Sequence, residues 1–150
     1  MQSLLCTMIV FACLNLNTMV SQINMSASHP LLDKIDSSLA AKEQGWKITK
    51  KVVYEKSVSY RWESTAKEKV DVFITEAGSP SEAAEALQQR MHILQVGPTA
   101  TLEGLGDEAY IWKDDNRDTG VIRFRKANLF IEVVASKSAI AERVTHYADD

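Results

Sequence analysis

From Trp46 the apolar positions fall on every second residue. Trp46, Ile48, Val52, Tyr54, Val58, Tyr60 and Trp62 all hold even-numbered places, interrupted by Lys50 and Lys56. Successive side chains of a strand point to opposite sides, so this alternation predicts one or two strands with one apolar and one polar face, bending around Glu55-Lys56. The pattern resumes over 69–75, where Val70, Val72 and Ile74 share a side.

A different period brackets this block. Leu31, Ile35 and Leu39 recur at i, i+4 and i+8 behind Pro30, which predicts a helix over 30–42 that ends by Gly45. A second helix has clear start signals: Ser79 to cap, Pro80 at the first helical position and Glu82 to complete a capping box. Ala84, Leu87, Met91 and Leu94 form its apolar stripe, and Gly97-Pro98 bars any continuation. Three short strands follow, over 109–113, 121–125 and 129–135, with turns at 114–120 and 126–128. A last helix, about 138–148, carries Ile140, Val144 and Tyr147 on one stripe.

Strands that succeed one another at hairpin spacing pair antiparallel. The expected fold is therefore α+β, a mainly antiparallel sheet with helices packed on one face, in the order α-β-β-α-β-β-β-α. The two halves share a loose strands-then-helix plan without a residue-level repeat.

Charge separates the front of the chain from the rest. All 17 basic and 20 acidic side chains lie at or after Asp33. Before it, residues 4–14 form an apolar run of signal-peptide length, and Ser26-Ala27-Ser28 is a small-x-small site of the kind a signal peptidase cuts. The reading is a signal peptide over 1–28, cut after Ser28 or earlier, as after Ser21, and a single α+β domain over 29–150. No Lys or Arg precedes the apolar run. Asn15 and Asn17 interrupt it, so it falls short of the roughly 20 apolar residues that span a bilayer. No transmembrane span is expected once the leader is removed. Val10-Phe11-Ala12-Cys13 places a bulky residue where a lipoprotein signal needs a small one, leaving lipidation the lesser alternative. Both cysteines, Cys6 and Cys13, fall in the leader, so the mature domain would hold no thiol for a disulfide, a nucleophile or a metal. The net charge of −3 is too mild and too evenly mixed to argue for nucleic acid.

Gly104 to Tyr110, GLGDEAY, is the stretch most suggestive of chemistry. A phosphate-binding turn needs a helix after its glycines, whose free N–H groups hold the anion, and here a strand follows. Asp107 and Glu108 are adjacent strand residues that point to opposite faces, so they do not converge on one atom. The turn reading fits better: Gly104 and Gly106 allow positive φ and Asp107 caps the turn through its side chain. Asp114, Asn116 and Asp118 have the spacing of calcium ligands. Thr119 and Arg125, however, occupy the places that need glycine and a bidentate glutamate, which leaves a solvated hairpin loop. His29, His92 and His146 make no metal-binding pair, and no serine sits in a nucleophile elbow. No metal and no cofactor are expected.

In VIRFRK, Ile122 and Phe124 face the core and Arg123 and Arg125 face away. In LFIEVVA, Leu129, Ile131 and Val133 face the core, leaving Phe130, Glu132 and Val134 outward. Arginines beside an aromatic residue are typical of recognition surfaces, so Arg123, Arg125, Phe130 and Glu132 are the candidate binding residues. The competing reading covers Phe130 and Val134 with a terminal strand or the first helix and pairs Glu132 with the arginines.

GLGDEAY, followed by a polar turn and IRFRKANLFIEV, resembles a recurring pattern in small exported bacterial proteins of uncharacterised function. The resemblance covers roughly Gly104 to Ala135, with Ala127 standing where glycine often precedes Asn128. It implies an extracytoplasmic α+β domain and carries no catalytic residue over. The expected function is an exported, non-catalytic binding or accessory domain, periplasmic or secreted, whose partner is a protein or envelope component. The alternative is an envelope hydrolase with Asp107, Glu108 or a histidine as base.

Overall fold

The computed structural model describes residues 29–93, 97–114 and 116–149. The expected leader and Leu94 of the second helix lie outside them. The elements are α1 (Pro30–Lys42), β1 (Lys47–Val53), β2 (Ser57–Glu63), β3 (Lys69–Glu76), α2 (Pro80–Ile93), β4 (Ala100–Thr101), β5 (Glu108–Asp114), β6 (Thr119–Lys126), β7 (Leu129–Ala135) and α3 (Ser138–Asp149). All the strands join one antiparallel sheet in the order β1-β2-β3-β7-β6-β5-β4. The fold is α+β in the expected order, with three strands in the first block and the two-residue β4 added beside β5. Among the described residues, no helix is long and apolar enough to cross a membrane.

Alternation sets the core. Val58, Tyr60 and Trp62, then Val70, Val72 and Ile74, are buried on one face, continued by Ile111, Ile122, Phe124, Ile131 and Val133. Onto this face pack Leu32, Ile35 and Leu39 of α1 and Ile140, Ala141, Val144 and Ala148 of α3. Polar ties fix the two helices. The Trp62 indole N–H donates to Asp36 at 2.7 Å, and the Glu43 carboxylate just past α1 receives Arg143 at 2.9 Å and the Tyr147 hydroxyl at 3.1 Å. Those hydrogen bonds, Arg143 foremost, hold the Glu43 carboxyl below its usual range and push Arg143 up, while burial first and then the bond to Glu43 push the Tyr147 hydroxyl up.

Two departures from the simple pattern matter for the site. A bulge between Ile48 and Lys50 shifts the register of β1, so Lys51 pairs with Tyr60 and Val52 with Ser59. The apolar stripe expected along β1 therefore breaks, and Val52 moves to the second face. The one-face helix arrangement holds for α1 and α3, whereas α2 crosses the second face over β6 and β7. Its buried Ala83 and Leu87 lie apart from the main core. The reason lies in β5 to β7: Trp112 and Phe130 alternate with the core residues there, so apolar surface faces both ways. The start of α2 is a variant of the expected capping box. Ser79 Oγ accepts from the Glu82 N–H at 3.2 Å, while the Glu82 carboxylate accepts from Gly78 at 2.8 Å rather than from Ser79.

Candidate functional site

The register aligns the second-face residues in rows across the sheet. One row runs Ser59, Phe73, Glu132, Arg123, Tyr110; the next runs Ser57, Thr75, Phe130, Arg125, Glu108. α2 lies over the β6 and β7 part of these rows, and its Gln88 reaches Glu108 on β5. What lies under the helix is locked, and what lies beyond it on β2 and β3 is open.

Arg123 is the centre of the covered half. It is 7% exposed and forms an ion pair with Glu132 across the β6–β7 ladder. Its guanidinium lies over the Trp112 ring, 5.1 Å from the centroid, and Nη1 donates to the Arg90 carbonyl at 3.1 Å. This bond falls on a carbonyl in the last described turn of α2 and sets a positive charge toward the negative end of the helix dipole. Arg123 thus ties α2 to the sheet. Phe130, 6% exposed, is buried beside it.

The candidate residues are therefore on the expected face, but the structure divides them. Arg123 and Phe130 are buried where outward, accessible positions were expected, because α2 lies over them. Glu132 is engaged by Arg123. Arg125 lies one row further on and binds two carboxylates, Asp107 at 3.1 Å and Glu108 at 3.3 Å.

Beyond the helix a groove of about 330 Å³ opens over β2 and β3. Ser57, Ser59, Phe73 and Thr75 line it, with Ser57 and Thr75 hydroxyls 3.1 Å apart. Phe130 and Glu132 of β7 form one wall, and Tyr54, Val58 and Arg90 complete the lining. Phe73 and Tyr54 are 42% and 65% exposed, large apolar side chains left bare beside the half that α2 covers. Sequence reasoning missed Phe73. Its signal was available, an aromatic residue between the core positions Val72 and Ile74.

The carboxylates of GLGDEAY are engaged by neighbouring groups. Gly104 and Gly106 have φ of 72° and 55°. Asp107 reaches further than expected: instead of its own turn it caps the β6–β7 hairpin, where its carboxylate accepts the Ala127 N–H at 2.8 Å. Glu108 accepts from the Tyr110 hydroxyl at 2.7 Å and from Gln88 of α2 at 3.1 Å, and the first of these bonds pushes the Tyr110 hydroxyl up from its usual value. In the 114–120 loop, Asp114 accepts the Asn116 N–H at 3.1 Å, and Asp118 receives the Ser138 backbone N–H at 2.8 Å at the start of α3.

The histidines are scattered. His29 is the N-cap of α1, accepting from Leu31 at 3.2 Å, a role its place beside the leader did not suggest. His92 stands exposed near the end of α2. His146 borders a hollow of about 130 Å³ with Glu103 and Glu142, but Glu142 is paired with Lys113 at 2.7 Å.

Comparison with protein-family models, curated proteins and solved structures finds no match for this chain. The functional argument therefore rests on the groove and its surroundings.

Proposed function

We propose that the chain is an exported, non-catalytic binding or accessory domain of the bacterial envelope, and that it binds through the open half of its second sheet face. The observation that carries this reading is the unequal covering of the face. α2 and the Arg123 network seal one half of the rows, while Phe73 and Tyr54 stand bare around a groove on the other. Exposed aromatic side chains beside paired charges suit recognition. The uncharged front segment and its small-x-small site support export. The hydrolase alternative gains nothing from the geometry, since both Asp107 and Glu108 are held by Arg125 and neighbouring donors.

Two measurements test the reading. Phe73→Glu should abolish retention of an envelope partner in pull-downs and leave the melting curve unchanged, while Lys34→Glu on the far side of α1 leaves retention intact. Equal retention by Phe73→Glu would remove this face from consideration. Export is checked by fractionation with intact mass: an extracytoplasmic species lacking the leader is expected, and a full-length cytoplasmic species would overturn it.

A further inference from the structure

We propose that the groove over β2 and β3 holds a small organic carboxylate with an aromatic or branched apolar body, its carboxylate bound by Arg90. This rests on the reading that the open half of the second face is the binding surface, and adds the class of ligand.

Charge decides the head group. Two groups with formal charge line the groove, Glu132 and Arg90. Glu132 is already neutralised by Arg123. Arg90 is exposed, and among the described residues no carboxylate pairs with it. The groove therefore carries one uncompensated positive charge, on a planar fork that matches a carboxylate through two parallel hydrogen bonds. The carbonyl of Arg90 itself is fixed by Arg123 at 3.1 Å, so this turn of α2 is anchored to β6, the neighbour of the strand that carries Phe130 and Glu132.

Size and lining decide the body. A volume of about 330 Å³ is at the small end of ligand sites, which suits a compact molecule in the groove itself. Phe73, Tyr54 and Phe130 offer apolar surface for a ring or a branched chain, and the Ser59 hydroxyl adds a polar contact on the floor.

The test is a titration of the exported domain with 3-phenylpropionate, followed through backbone amide and Arg90 side-chain NMR shifts. Saturable shifts are expected at Ser57, Ser59, Phe73, Thr75 and Arg90. The uncharged amide, 3-phenylpropionamide, should bind at least about ten-fold more weakly, because it forfeits a charge-assisted pair. Arg90→Gln, at an exposed position, should erase the preference for acid over amide, and Phe73→Ser should weaken both. The proposal is overturned if the acid gives no saturable shifts up to about 10 mM, far weaker than a specific small-ligand site. It is also overturned if acid and amide bind alike, or if Arg90→Gln keeps the preference. If the acid fails while Phe73→Glu still abolishes partner retention, the ligand class falls and the binding face stands; if Phe73→Glu also retains the partner, the face itself is wrong.

Discussion

Replacing Arg123 by methionine should cost the fold about 3 kcal/mol, and the structure explains why an exposed-looking strand arginine should matter so much. The Arg123 and Glu132 side chains are 8% and 16% exposed. Removing the guanidinium strands the Glu132 carboxylate in a largely dry site, and breaking a buried pair in this way costs about 3–5 kcal/mol. The groove brings water to one side of Glu132, which favours the lower end of that range. The Arg90 carbonyl loses its donor as well, worth about 1 kcal/mol, while the methionine chain keeps part of the packing on Trp112. For a domain of this size the sum lowers the melting temperature by roughly 10–15 °C. Urea and thermal denaturation of Arg123→Met and of the double variant Arg123→Met/Glu132→Leu give the decisive comparison. The double variant strands no charge and should recover most of the loss, ending within about 1.5 kcal/mol of the parent. A single-variant cost below about 1 kcal/mol, or a double variant no more stable than the single, would refute the assignment of Arg123 as the buried tie beneath α2.

Gly106→Ala should destabilise by about 2 kcal/mol or more and Gly104→Ala by about 1, read from thermal melts: both have positive φ, but of the two only Gly106 would bring its new Cβ against a backbone atom, the Arg125 carbonyl oxygen. Ala127→Gly should stabilise by about 0.5–1 kcal/mol in the same assay, since Ala127 holds φ of 54° in the β6–β7 turn, where glycine is unstrained. Glu43 has its carboxyl held below the ordinary 4.5, first by its hydrogen bonds to Arg143. Its contribution is therefore full above that value and fades as pH falls through the lower folded-state value, so Arg143→Gln should flatten the acid limb of the stability profile below about pH 4.5 and change its slope little at neutral pH.

The local parts of this fold were legible because local periodicity caused them. The parity of β6 and β7 separates Ile122, Phe124, Ile131 and Val133 from Arg123, Phe130 and Glu132, and the core follows that division. Ser79-Pro80 starts α2 where capping chemistry requires. Three things were not legible, each for a nonlocal reason. The β1 bulge moves Val52 to the second face, and alternation along one strand does not register an insertion relative to its neighbour. The stripe of α2 announces burial without naming the face that receives it. The site itself depends on the β3–β7 ladder, which sets Phe73 beside Glu132 across nearly sixty residues of chain. A sequence that shows Arg123 and Phe130 facing away from the core cannot show that a helix roofs them, or that the roof leaves β2 and β3 open.

That unequal roof is most directly measured by hydroxyl-radical footprinting of the exported domain, alone and with an envelope extract. Tyr54 and Phe73, 65% and 42% exposed, should label readily in the free protein and become protected with a bound partner, while Trp112 and Phe130, 9% and 6% exposed, stay protected in both. Labelling of Trp112 and Phe130 at the rate of Tyr54, or unchanged labelling of Phe73 in the presence of a retained partner, would contradict the account.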